Sequence, residues 1–341
     1  MPAAKSKKSA SRSKATTSAK KPKTKAKVKK TEPRFSLSDF QYLILDVVRR
    51  LAIAFVVLLI GWMVMEGSTV RIKSAQLPLK QLPSNFAGTR ILYLSDIHLN
   101  SLNSVGKVNA LINELEQLEP DLLLLGGDYT SFDPLMRLTA FFKGEASPYT
   151  IEASMRDLFF LKLANLDVPL GKFAVAGEHD NLLERTSGYS LKNAAALGGV
   201  TLLRNEAVYI ERNGQTLVIL GVDDWSTGMQ DTRTPASLVS AKDCVIVLSH
   251  NPEAILSLNN QPASDGMWID AAFAGHTHGG GIALFGTELF NPLGQQERFR
   301  VGWHRENVAK VLISSGVGND FLPLRLGATP EVHLIELIPS S

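Results

Sequence analysis

Five polar motifs each begin where a short apolar run ends, and this repeated junction restricts the fold more than any other feature of the chain. They read S-D-I-H (Asp96, His98), G-G-D-Y (Asp128), G-E-H-D (Glu178, His179, Asp180), S-H-N-P (His250) and G-H-T-H (His276, His278). The runs before them, at 90–95, 121–125, 172–176, 245–249 and 271–274, have the length of buried strands. Further strands are expected at 216–221, 310–314 and 332–337. Between the first two runs Val108, Leu111, Ile112, Leu115 and Leu118 recur at helical spacing, and helices are also expected at 151–164, 189–197 and 252–258. Near-continuous apolar strands separated by helices indicate an α/β domain with sheets covered on both faces. In such sheets the loops beyond the strand carboxyl ends converge on one crevice, where ligands bind. Ser131–Thr150 is the least patterned stretch and is expected to be a flexible loop over that crevice.

Each motif alone has a plain structural reading: Asp96 or Asp128 as a cap, His250 as a hydrogen-bonded core histidine. Together they supply carboxylates and imidazoles at one place. His276 and His278 stand at i and i+2, so on an extended segment both rings face one locus. This donor set suits Mn, Fe or Zn. The single cysteine, Cys244, precedes the apolar run 245–248 and is expected as a buried core thiol. Two divalent ions about 3.5–4 Å apart need a bridging group, and Asp128 is the natural candidate. The first ion is then expected on Asp96, His98, Asp128 and His278, and the second on Asp128, Glu178, His250 and His276. A water shared by both ions would be deprotonated near neutral pH and attack phosphorus in line with the leaving oxygen. His179 is expected to stabilise the phosphoryl oxygen or protonate the leaving group, with Asp180 raising its pKa and orienting it.

In this order, the motifs resemble those of the calcineurin-like metallophosphoesterases. G-G-D-Y at 126–129, A-G-H-T-H-G-G at 274–280 and L-P-L-R…P-E-V at 322–332 narrow the resemblance to the bacterial membrane-associated YaeI/YkuE-type phosphodiesterases, over roughly residues 85–340. The resemblance implies a β-sandwich flanked by helices with a dinuclear site at its edge. It also places Glu178 where that family carries an asparagine ligand. A carboxylate there adds a negative charge, and a more neutral site pulls less on a phosphate and acidifies water less. Arg325, in L-P-L-R, is expected either to line the substrate cleft or to form a structural salt bridge.

Charge is divided unevenly along the 341 residues. Residues 1–34 hold thirteen Lys/Arg against Glu32 alone, which leaves 35–341 at a net charge of about −9. An acidic body argues against a nucleic-acid surface on it. Residues 1–35 are expected to be a disordered basic tail, 36–67 a membrane-anchoring segment, 68–85 a linker and 86–341 the metallophosphoesterase domain. Within the anchor, 51–65 carries no charge. As a helix it reaches about 22 Å at ~1.5 Å per residue, so flanking residues must complete a ~30 Å hydrocarbon core. The expected location is the cell (inner) membrane, single-pass, with the lysine-rich tail inside and the body outside. The function expected is hydrolysis of a phosphodiester or pyrophosphate bond, on a lipid or lipid-linked phosphate-ester substrate. Two alternatives are a UDP-2,3-diacylglucosamine pyrophosphatase-like enzyme and a non-catalytic metal-binding membrane scaffold.

Overall fold

The computed structural model describes residues 37–340 except 145–146, 281, 285–286, 291–298, 308 and 320–321. The expected tail at 1–35 therefore lies outside the described residues. The chain divides into two compact units, 1–53 and 54–341. Helix α1 (Leu37–Gly67) runs through the boundary between them. Two six-stranded mixed sheets make up the body of the second unit.

The first sheet begins with β1 (Arg71–Leu79), β2 (Arg90–Leu94), β3 (Leu122–Leu125), β4 (Lys172–Ala174) and β5 (Thr201–Leu202). The second contains β6 (Glu206–Arg212), β7 (Gln215–Gly221), β8 (Val245–Leu248) and β9 (Ala271–Ala274). A separate hairpin, β10 (Ile282–Leu284) and β11 (Thr287–Phe290), precedes β12 (Gly302–Glu306) and β13 (Ala309–Ile313), which complete the second sheet. Finally β14 (Glu331–Pro339) returns to the first sheet, between β1 and β2. Strands β2 to β5 are parallel to one another, as are β7, β8, β9 and β13, so their carboxyl ends share an edge within each sheet.

Alternation along the strands explains the layering. On β2, Leu92 and Leu94 enter the core under the helices while Ile91 and Tyr93 enter the core between the sheets. Leu123 and Leu125 divide from Leu122 and Leu124 in the same way. A strand apolar on both faces is stable only when both are covered. Helices α2 (Val105–Glu116), α4 (Pro148–Leu163) and α6 (Leu191–Leu197) cover the first sheet. On the second sheet the outer layer includes α7 (Arg233–Ser237) and α8 (Pro252–Asn259). The result is the expected α/β sandwich. Cys244 is buried between the sheets, and burial pushes its thiol up to about 12.

Three expectations need correction. The stretch Ser131–Thr150 is not a bare loop but contains α3 (Pro134–Lys143). Asp133 caps it by accepting from Met136 N (3.0 Å), Pro134 opens the first turn, and Gly144 ends it at φ 62°. The expected linker at 68–85 contains β1, which pairs with β14 from Arg71 to Leu79 as the edge of the first sheet. Its charged, largely exposed first half hides the strand pattern, as is usual at an edge. The expected anchoring segment, 36–67, forms helix α1, but no helix among the described residues is long and apolar enough to cross a membrane. The uncharged run in α1 is bounded by Arg49 and Arg50 on one side and Glu66 on the other. Glu66 is committed to the body, its Oε1 accepting from Gly327 N (3.0 Å) and Thr329 Oγ1 (2.9 Å).

Candidate metal centre

All five motifs follow strand carboxyl ends: Asp96 and His98 after β2, Asp128 after β3, the G-E-H-D turn after β4, His250 after β8 and G-H-T-H after β9. The turn after β4 opens α5 (Glu178–Ser187). Nine non-glycine residues among those described have left-handed φ, and five of them are Asp96 (52°), His98 (44°), Asp128 (54°), His276 (68°) and His278 (48°). Such conformations cost on the order of 1–3 kcal/mol each and concentrate at functional sites. Two glycines admit the close approach: a Cβ on Gly177 would lie 2.1 Å from Asp128 Oδ1, and one on Gly275 would lie 2.2 Å from Asp96 Oδ2.

Side-chain donors converge in three overlapping groups that could each hold an ion: Asp96, His98 and His278; His98, Asp128 and His179; Asp96, Asp128 and His250. His98 Nε2 lies 2.9 Å from His278 Nε2 and 3.7 Å from Asp128 Oδ2. His278 Nε2 is 3.6 Å from Asp96 Oδ1. His250 Nδ1 is 2.8 Å from the Gly126 carbonyl and donates to it. That bond turns Nε2 towards Asp128 Oδ2 at 3.3 Å, off the direction a hydrogen bond needs. A histidine whose Nδ1–H is held by a carbonyl presents Nε2 as a metal donor.

Glu178 and His276 sit alongside these groups rather than within them. His276 N donates to both Asp96 oxygens (3.1 Å each), and its ring meets that of His250 edge-on at 5.0 Å. Glu178 Oε2 accepts from Ser226 Oγ at 3.3 Å. His179 N donates to Asp128 Oδ1 (3.0 Å) while its ring stands edge-on to His98 at 5.1 Å. Asp180 turns to the backbone: its oxygens accept from Asp128 N (2.8 Å), Gly177 N (2.9 Å) and Tyr129 N (3.1 Å). It braces the two loops that carry Asp128 and His179.

Electrostatics suit a cation. Burial holds His98 down to about 3 and His276 down to about 4, so both rings are neutral, the form that ligates metals. Burial alone would raise Asp128, but His250, His179 and His98 hold it well below the usual carboxylate range. Burial and then Asp128 raise Asp180 to about 7. The donor set therefore fits divalent metal.

Arg325 is a buried tie beside the centre. Its Nη1 donates to the carbonyls of Ser315 (2.6 Å) and Ala328 (3.0 Å), Nη2 to that of Gly318, and Nη2 also lies 3.0 Å from His278 Nδ1. Asp224 is a site residue without a motif of its own, although it too follows an apolar strand, β7. Its Oδ2 accepts from Ser226 Oγ (3.0 Å) and Thr227 N (2.6 Å), linking it through Ser226 to Glu178, while Oδ1 is buried without a hydrogen bond.

Below this centre, Glu331 joins β14 to the loop carrying Ser315, accepting from His333 Nε2 (3.1 Å) and Ser315 N (3.0 Å) and pairing with Lys73. Burial opposes ionisation, but the bonds from His333, Lys73 and Ser315 bring its pKa down from the usual 4.5 to about 2. A depressed carboxyl contributes stability above its unfolded pKa and loses it as pH falls through the folded one. Glu331→Gln is therefore expected to cost about 2 kcal/mol at neutral pH. The gap to the native chain should close between pH 4.5 and 2 in urea-unfolding titrations. A gap that is constant with pH would contradict this.

Fold and site together define a metal-dependent phosphoester hydrolase. The chain belongs to the Calcineurin-like phosphoesterase family, whose model matches residues 89–280. It is 31% identical to Phosphodiesterase YaeI of Escherichia coli (strain K12) over 256 residues, covering 74% of this chain and 84% of that one. It is also 31% identical to the uncharacterized protein YpbG of Bacillus subtilis (strain 168), covering 72% and 80% of the two chains. With the uncharacterized metallophosphoesterase YkuE of the same organism the identity is 27%, over 75% and 81%.

Proposed function

We propose that this enzyme hydrolyses phosphodiester bonds at a two-metal centre, with Mn as the working ion. The observation that carries the reading is the convergence of strand-end carboxylates and imidazoles, with Asp96, Asp128 and His98 each shared between two of the three donor groups. Asp96, His98, Asp128 and His278 would hold one ion; Asp128, Glu178, His250 and His276 the other. When bound, such a pair supplies Lewis-acid activation of the phosphoryl group and an acidified water as nucleophile. His179, whose backbone amide donates to Asp128, would protonate the leaving oxygen or bind a phosphoryl oxygen. Asp180 fixes the loops on which Asp128 and His179 ride. The identity to a protein named a phosphodiesterase supports the diester preference.

The reading extends to a membrane location. The part of α1 in the body exposes Phe55 (66%) and Leu58 (73%), as a helix lying against lipid would. This apolar exposure of α1 supports association of the chain with a membrane.

The test strips the full chain of metal, reloads Mn and compares bis(p-nitrophenyl) phosphate with the monoester. Mn-dependent turnover favouring the diester is expected. A folded, metal-loaded chain that cleaves neither ester would refute the reading as stated. In the same assay Glu178→Asn is expected to keep or raise turnover. Complete loss would show that the second ion's site has been rebuilt around the carboxylate.

A further inference from the structure

His250 and His278 turn opposite ring nitrogens into proton carriers, and Arg325 is the cause. A histidine that ligates through one ring nitrogen carries its proton on the other, which donates to a carbonyl, a carboxylate or water. His250 follows this pattern, its Nδ1 donating to the Gly126 carbonyl and leaving the Nε2 lone pair to the centre. At His278 the outer nitrogen, Nδ1, meets Arg325 Nη2 at 3.0 Å. A guanidinium donates and never accepts, so Nδ1 is the acceptor and the proton of the neutral ring falls on Nε2. That inner nitrogen lies 2.9 Å from His98 Nε2, within reach to donate to it.

Arg325 is held where it stands. It is buried, and each of the five N–H donors of a guanidinium has an acceptor here. Nε–H goes to Asn319 Oδ1 (2.8 Å), and the pair on Nη1 goes to the carbonyls of Ser315 and Ala328. One donor on Nη2 takes the Gly318 carbonyl, which leaves the last for His278 Nδ1. Asn319 is fixed in turn, its Nδ2 donating to the Gly67 carbonyl (2.9 Å).

To offer Nε2 to an ion, His278 must carry its proton on Nδ1, which sets one N–H against another. The fixed positive charge of Arg325 also repels a divalent ion on that ring. His250 bears neither burden. We infer that the centre fills in order, the ion on the His250 side first and the ion on Asp96, His98 and His278 second. Arg325, acting through His278, is the positioning residue that sets the difference. This rests on the two-ion reading and gives it an order of loading.

The test strips the full chain of metal and titrates it with zinc, which is diamagnetic, while the ring-nitrogen resonances of isotope-labelled histidine are followed by NMR. His250→Gln and His278→Gln assign the two rings. Before zinc is added, His278 is expected to carry its proton on Nε2 and His250 on Nδ1. The first equivalent should shift His250 Nε2. His278 should follow only with the second, at free zinc at least about tenfold higher, the scale on which outer partners tune metal affinity. Mn titrations read by EPR should show the same two steps, an isolated ion and then a spin-coupled pair. Arg325→Gln, whose carbonyl can accept from Nδ1–H, is expected to merge the steps. The proton assignment uses the native chain, so it decides the inference even where that variant does not fold. A proton on His278 Nδ1, joint filling of both sites, or a gap unchanged in folded Arg325→Gln each overturns the inference and leaves the two-ion reading in place. One ion at saturation would instead refute the two-ion reading, and the order of loading with it.

Discussion

Asp128→Asn is expected to lower metal-dependent turnover by about 10³-fold or more and to release at least one metal ion per chain. Asp128 belongs to two of the three donor groups, alongside His98 and His179 in one and Asp96 and His250 in the other. Its Oδ2 faces His250 and His98 while its Oδ1 receives the amide of His179. An asparagine keeps the shape but removes the charge and leaves one oxygen where two are needed. The backbone amides that Asp180 holds are untouched by the change, so the variant should fold. Metal content by mass spectrometry, read beside turnover, decides the matter. A variant that keeps two ions and normal turnover would remove Asp128 from the centre.

His179→Gln is expected to lose about 10²–10⁴-fold in kcat on diesters with alkoxide leaving groups, the range for a missing general acid. With p-nitrophenolate leaving, which needs no proton, the loss should be much smaller. Metal content should not change. Equal losses on both substrates would mean that the imidazole binds a phosphoryl oxygen instead, and no loss on either would exclude His179 from the chemistry.

The strands and their polar endings are legible because four or five consecutive large apolar residues, as in Leu122–Leu125, need cover on both faces and can hardly be anything but an inner strand. Element edges are less so: the first half of β1 is charged and largely exposed, so nothing periodic announces it. Helix α3 escapes notice because Leu135, Leu138, Phe141 and Phe142 are apolar yet exposed, so its outward positions do not read as the polar side of a surface helix. Among the site residues, adjacency misleads for Asp180. It neighbours His179 in sequence, but the first turn of α5 swings its carboxylate to the amides of residues 128, 129 and 177. Asp224 lacks a histidine or glycine signature and is recognisable only from its burial and its link through Ser226. The carboxylate and imidazole residue types carry the two-metal expectation; the five left-handed conformations cannot be read from side-chain types at all.

Those conformations set a limit on how this protein can change. Chain stability alone would favour glycine or asparagine at positions 96, 98, 128, 276 and 278, yet this chain keeps aspartate and histidine there. Selection for heat tolerance without a demand for catalysis would therefore erode these positions first. A heat-hardened descendant would be expected to keep the sandwich and lose the chemistry.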